Sequence, residues 1–140
     1  CWVCLVEFCV CLFGAGHAFA RRRPSLTGYR QARHLWVANA ASPYQDIQTR
    51  MEKAGIALAQ LDQVSSFLTA PFVVAASDCV VTVPQMLAEH FASHLKLRWI
   101  IPPLRLPTLA TRCLWHQRAH QDAGHVWLRG VIAEVFGTQD

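Results

Sequence analysis

Charge is the scarcest commodity in this sequence. Only 16% of its residues are charged and 53% are hydrophobic, whereas a globular monomer carries about 25% charged residues. So apolar a chain is not intrinsically disordered, and its shortage of charge implies apolar surface that expects a cover. Lysine is nearly absent, with two lysines beside eleven arginines. The arginines are scattered singly except for Arg21-Arg22-Arg23, closed by Pro24, which reads as a solvated loop. The formal charge of +4 therefore builds no basic face or stripe, and the chain is not expected to bind nucleic acid by itself. It also lacks a Gly-rich phosphate loop, a Gly-x-Ser-x-Gly elbow and a plausible carboxylate pair, so no enzyme is expected. Internal repeats and low-complexity stretches are missing too.

Six cysteines are enough for a disulfide scaffold, but their placement argues otherwise. Cys1, Cys4, Cys9 and Cys11 crowd one apolar segment, while Cys79 and Cys113 stand alone in strand-like runs. A chain of 140 residues buries a core without staples, and buried thiols pack as small hydrophobes. The setting this implies is reducing and cytoplasmic. Residues 1–20 are nearly unbroken apolar sequence, and Ala18-Phe19-Ala20 has the form of a signal-peptidase site. A secretory signal opens with a positive region, which is missing here. Glu7, Gly14 and Gly16 interrupt a span that would need about 20 clean residues, so no membrane insertion is expected. The better reading is a buried strand, Phe8 to Phe13, ending at a Gly14-Ala15-Gly16-His17 turn. With no starting Met, the chain is expected to begin inside a longer one.

Beyond Pro24 the pattern alternates. Ser25 caps a short helix through Tyr29 and Ala32, and His34 to Ala38 is a compact strand. Ser42 is expected to cap, and Pro43 to open, a helix from Tyr44 to Ala54 that Gly55 stops. Ile56 to Leu61 is expected as a strand, and Ser65-Ser66 as the cap of a helix from Phe67 to Ala75 that must take Pro71 in its first turns. Cys79 to Val83 is a buried strand, Pro84 opens a helix to Phe91, and Leu97 to Ile101 is extended. Pro102, Pro103 and Pro107 break the chain before a strand at Ala110–His116 and an amphipathic helix at Ala123–Phe136. Strands separated by single helices make an α/β fold with a parallel or mixed sheet. In such sheets ligands gather outside the carboxyl ends of the strands, which here means the loops at residues 39–44 and 63–67.

The run Phe67-Leu-Thr-Ala-Pro-Phe-Val-Val-Ala-Ala-Ser-Asp-Cys-Val-Val-Thr-Val-Pro-Gln-Met-Leu-Ala88 resembles a stretch of the LysR-type transcriptional regulators. In that family a helix ends in Ser-Asp, a strand follows, and a proline opens the next helix. Phe8 to Phe13 with Gly16-His17-Ala18 and Leu26-Thr-Gly-Tyr29 is similar to the family's crossing strand, turn and short helix. Leu114-Trp115-His116 and His125-Val-Trp-Leu-Arg129 are similar to its last strand and helix. The likeness covers residues 8–140 in order, departs at Ala18 where proline is usual, and leaves residues 1–7 unmatched.

The resemblance implies a truncated effector domain of the periplasmic-binding-protein-like type 2 fold. It would hold one complete α/β subdomain plus the final strand and helix of the other. Residues 1–13 would be the crossing strand and fragment start, 14–97 the second effector-binding subdomain, and 98–140 the return crossing and the end of the first subdomain. The partners implied are a small-molecule effector in the cleft between subdomains, other copies of the chain as dimer or tetramer, and DNA only through a missing N-terminal domain. An aromatic or other organic acid is the family-level ligand class, and the alternative readings are a periplasmic-type solute-binding protein fragment or, behind it, a small enzyme.

For the site itself, free N–H groups at the start of the helix capped by Ser42 suit an anionic group. Asn39, Ser42 and Tyr44 in that loop are the candidates, joined by Phe67 as an apolar wall and Thr69 as a hydroxyl. Capping and core packing are the competing explanation for each. His90 and His94 share a helix face at four-residue spacing but lack a third ligand, and read as surface residues. His116, His120 and His125 have no ligand spacing, and Cys1-x-x-Cys4 with Cys9-x-Cys11 lacks the second pair of a zinc ribbon. No metal or cofactor is expected.

Overall fold

In a computed structural model the described backbone covers residues 2–38, 44–57 and 62–136, with side chains described from residue 5 onward. The chain divides into two compact units, Phe8–Pro107 and a second made of Cys1–Glu7 with Thr108–Asp140. The covalent chain passes between them at residues 7–8 and again at 107–108.

The larger unit is built on a five-stranded sheet. Its strands are β2 (Cys9–Gly14), β3 (His34–Val37), β4 (Asp62–Val64), β5 (Val80–Pro84) and β6 (Leu97–Ile100), in spatial order β4-β3-β5-β2-β6. Parallel pairs join β3 to β4 and β5, while β2 runs antiparallel to both β5 and β6. Every residue of β3 and β5 is buried, as is Cys9–Phe13 of β2, which is why these segments read as unbroken apolar runs.

Two layers of side chains leave the sheet. On one face Val10, Leu12, Leu35, Val81 and Val83 pack with Ala70 and Val74 of α3 (Ala70–Ala75) and Ala88 of α4 (Gln85–His94). Toward the other face point Cys11, His34 and Thr82, and there Tyr29 of α1 (Leu26–Gln31) is wholly buried. The Tyr29 hydroxyl lies 3.0 Å from Thr82 Oγ1, opposite Cys11 in the β2–β5 register. Cys9 and Cys11 are buried two apart on one strand face, the packing role expected of them, and burial pushes the Cys11 thiol far above its ordinary range.

Local sequence explains the helix ends. Ser25 Oγ accepts from Gly28 N at 3.1 Å, the expected cap of α1. Helix α2 (Gln45–Lys53) buries Ile47 and Met51 and ends at Gly55, whose φ of +88° suits glycine alone. Gly55 N donates to Glu52 O and Ile56 N to Met51 O, the two bonds of a Schellman motif. Ile56, where a strand was expected to begin, instead gives its N–H to this motif and is 2% exposed. The described strand that follows is Asp62–Val64, and residues 58–61 of the expected span lie outside the described ones. Pro71 falls in the first turn of α3, where its missing N–H costs nothing. Helix α4 continues to His94, one turn beyond the expected end at Phe91.

An Asp placed after Ser77 at a helix end is expected to satisfy backbone donors, and Asp78 departs from that. It does not serve the backbone at the end of α3; the Ser77 hydroxyl takes the Cys79 N–H at 3.2 Å. Asp78 instead receives Arg33 Nη1 at 3.1 Å, while Arg33 Nη2 reaches Asp62 at 2.7 Å. One guanidinium thus bridges the amino ends of β4 and β5 beside its own strand. All three groups are more than half exposed, so the bridge adds little stability.

The buried His34 gives the unit an acid-sensitive point. Its Nε2 lies 2.6 Å from Tyr29 O, so that nitrogen carries the proton, and the bare Nδ1 is buried with no hydrogen-bond partner among the described residues. Burial holds its pKa below the ordinary 6.5, with the carbonyl bond opposing. Below about pH 6.5 the unfolded chain takes up a proton that the folded chain refuses, so stability is full above that pH and is lost as pH falls. His17 shifts in the same direction through burial, opposed by Asp78. The comparison that isolates His34 is urea unfolding of the wild type and His34→Asn at pH 7.5 and 5.5. The wild type should lose more stability between the two pH values than the variant, and equal losses would refute the assignment.

The smaller unit pairs β1 (Trp2–Glu7) antiparallel with β7 (Leu109–Cys113), with a register shift between Val3 and Leu5. Residues 1–7, unmatched in the sequence reading, therefore include a strand of their own. Strand β7 stops at Cys113, short of the expected His116, because Trp115 turns aside: its Nε1 donates to His120 Nδ1 at 3.1 Å. Arg129 of α5 (Ala123–Phe136) lays its guanidinium 4.6 Å from the Trp115 ring centroid and donates to the His120 carbonyl at 2.7 Å. Of the apolar residues expected on α5, Val126, Trp127 and Val135 are exposed, while Val131 and Ile132 are half-buried.

Candidate ligand-binding site

The parallel strands β3, β4 and β5 end at one edge of the larger sheet, and the segments that leave them converge there. Val64 leads into Ser65–Thr69, and Pro84 leads directly into α4. Because β2 is antiparallel, the residue before it, Phe8, comes to the same edge, where its carbonyl accepts from Gln85 N at 2.9 Å.

Two of the residues singled out from the sequence meet here. The rings of Tyr44, at the start of α2, and Phe67, in the loop after β4, lie with centroids 4.5 Å apart at 41°. Phe67 also packs on the core cluster, which holds the pair against the sheet. Ser66 shapes this loop: its Oγ accepts from Leu68 N at 3.1 Å, and its carbonyl from Thr69 N at 3.2 Å. Thr69 is exposed immediately before α3 and makes no side-chain cap bond to that helix. The structure therefore brings Tyr44 and Phe67 together and leaves Thr69 two residues along the same loop. Asn39 and Ser42 lie outside the described residues.

Sequence reasoning missed three other residues at this edge. Phe8, Leu68 and Met86 are exposed, at 59%, 65% and 47%. Phe8 and Met86 were invisible because only the pairing of an antiparallel β2 with β5 brings them to the carboxyl ends of the parallel strands. None of the described residues 8, 44, 64–69 and 84–86 is charged. The edge is an apolar, aromatic platform with hydroxyls at Ser65, Ser66 and Thr69. Among the described residues no three His, Cys, Asp or Glu side chains are grouped to hold a metal.

A carboxyl edge of this kind, with an aromatic platform, is where α/β sheets place small-molecule sites. The chain matches the LysR substrate binding domain over residues 3–137, and it belongs to that family. It is 32% identical over 129 residues to the HTH-type transcriptional regulator SyrM of Rhizobium meliloti (strain 1021), a match covering 91% of this chain and 40% of SyrM. Among solved structures it is similar to the regulatory domain of MexT, a transcriptional activator in Pseudomonas aeruginosa. There the TM-score is 0.75 at 20% identity, covering 96% of this chain and 65% of that one. It is also similar to the effector binding domain of QuiR in complex with shikimate, with a TM-score of 0.62 at 9% identity, covering 96% and 64%. The chain spans about two fifths of the length of the curated relatives it matches. The type 2 periplasmic-binding-like α/β architecture implied by the sequence is thus the fold of this family. Among the described residues no helix is long and apolar enough to cross a membrane.

Proposed function

We propose that this chain is the effector-sensing part of a cytoplasmic LysR-type transcription regulator, and that it binds a small organic molecule at the carboxyl edge of the larger sheet. The observation that carries this is the Tyr44–Phe67 ring pair, set on an uncharged platform where an α/β fold collects its ligands. Tyr44 and Phe67 form the apolar wall, and Asn39, Ser42 and Thr69 supply polar contacts. An aromatic or carboxylate ligand suits that division of labour, and QuiR, of the same fold, holds shikimate, a hydroxylated ring carboxylate. The chain acts by binding rather than turnover. In the longer protein, DNA is contacted by a separate N-terminal domain and copies of the chain associate as dimer or tetramer. The ligand shifts a population of conformations through its differential affinity for them.

The test is a dose–response curve in a reporter strain carrying the full regulator. Phe67→Ala removes half of the wall and should raise the half-maximal effector concentration at least about tenfold, equivalent to about 1.4 kcal/mol. Ser42→Ala should raise it by a smaller factor. Operator binding without effector should stay unchanged in both. Unaltered dose–response curves for both variants would refute the site.

A further inference from the structure

The outer turn of α4 carries a pair of histidines that the effector site does not use. His90 and His94 sit four residues apart and exposed, with ring centroids 4.7 Å apart and ring planes 36° apart. Hydrogen bonds around His94 decide which of its nitrogens faces outward. Ser93 Oγ donates to the His90 carbonyl at 2.7 Å, so its only hydrogen is committed. The same oxygen lies 2.9 Å from His94 Nδ1 and can only accept there, while that Nδ1 also lies 2.7 Å from the His90 carbonyl. Both neighbours of Nδ1 are acceptors, so Nδ1 carries the proton and Nε2 presents its lone pair to solvent. Metal-binding histidines are held in this way, with the far nitrogen donated to a backbone carbonyl and the ring fixed in tautomer and direction. His90 is seated in turn by an edge-on contact with Phe91, with centroids 5.4 Å apart and planes at 89°.

We propose that His90 and His94 form a bidentate site for a divalent transition-metal ion of the imidazole-preferring class, such as nickel, copper or zinc. Neutral imidazole suits these ions, and helix residues four apart project from one face. The neighbouring Glu89 is already occupied, accepting from Gln85 Nε2 at 2.7 Å. Among the described residues no further His, Cys, Asp or Glu completes a set of three, so water fills the remaining positions. A bound ion would clamp the last turn of the helix whose first turn borders the aromatic platform. This inference does not depend on the proposed effector, and its test makes no use of one.

The experiment is calorimetric titration of the untagged chain with nickel chloride, repeated on His90→Gln and His94→Gln. One equivalent should bind the wild type, and each variant should weaken binding at least about tenfold. Both side chains are exposed, so urea midpoints in the absence of metal should match the wild type. A second readout needs no variant: paramagnetic nickel should broaden the ring protons of these two histidines before those of His116, His120 or His125. No binding by the wild type, affinity unchanged in either variant, or broadening centred on the other three rings would each overturn the site.

Discussion

Replacing Tyr29 with alanine should cost about 3–5 kcal/mol of unfolding free energy, the range for deleting a buried aromatic side chain. Tyr29 is wholly buried, and it joins α1 to the sheet in three ways. Its ring packs edge-on against His34 at 4.7 Å, its carbonyl faces His34 Nε2, and its hydroxyl pairs with Thr82. The phenol itself does not ionise usefully, because burial drives its pKa far above the ordinary 10. Tyr29→Phe separates the contributions. It keeps the ring and orphans the Thr82 hydroxyl, which should cost about 1–3 kcal/mol. Chemical denaturation of both variants gives the two numbers, and a loss below about 1 kcal/mol for Tyr29→Ala would show that this layer is not packed as described.

Leu12→Ala probes the opposite layer and should cost about 2–5 kcal/mol. Leu12 has no exposure, stands in β2 between β5 and β6, and belongs to the cluster covered by α3 and α4. Strands on both sides restrain collapse around the deleted methyl groups, which places the expectation toward the upper part of that range. Leu12→Met, which nearly conserves volume, should cost less than about 1.5 kcal/mol. If the two variants proved equally destabilised, the loss would come from something other than a cavity.

How much of this was legible in the sequence follows from the reach of each signal. Apolar runs declared β2, β3 and β5, because a strand buried on both faces leaves no alternation to misread. The Ser25 cap and the Gly55 stop were visible because their chemistry is local. Ile56 misled because an apolar residue after a helix-ending glycine serves the Schellman motif and a new strand equally well, and only the fold decides. Strand β4 offered little signal, since Asp62 and Gln63 are exposed at the sheet edge. Strand β1 is defined by a partner more than a hundred residues away, a distance over which periodicity says nothing. Tyr44 and Phe67 were selected for the loops they occupy, whereas Phe8 and Met86 needed the pairing of β2 with β5. His94 shows a different limit, because its spacing from His90 is in the sequence but its tautomer depends on where Ser93 sends a hydrogen.

The hydrogen bond from Gln85 N to the Phe8 carbonyl also has a mechanical side. Phe8 is the first residue of the larger unit, and Gln85 is the first residue of α4, so one bond rivets the start of that unit to the rim of the aromatic platform. A shift of the first turn of α4 would therefore be felt at the entry to β2, within the larger unit. The bond is made by backbone atoms alone, so side-chain substitution at either position leaves the rivet in place; only proline at position 85, which has no N–H to donate, removes it.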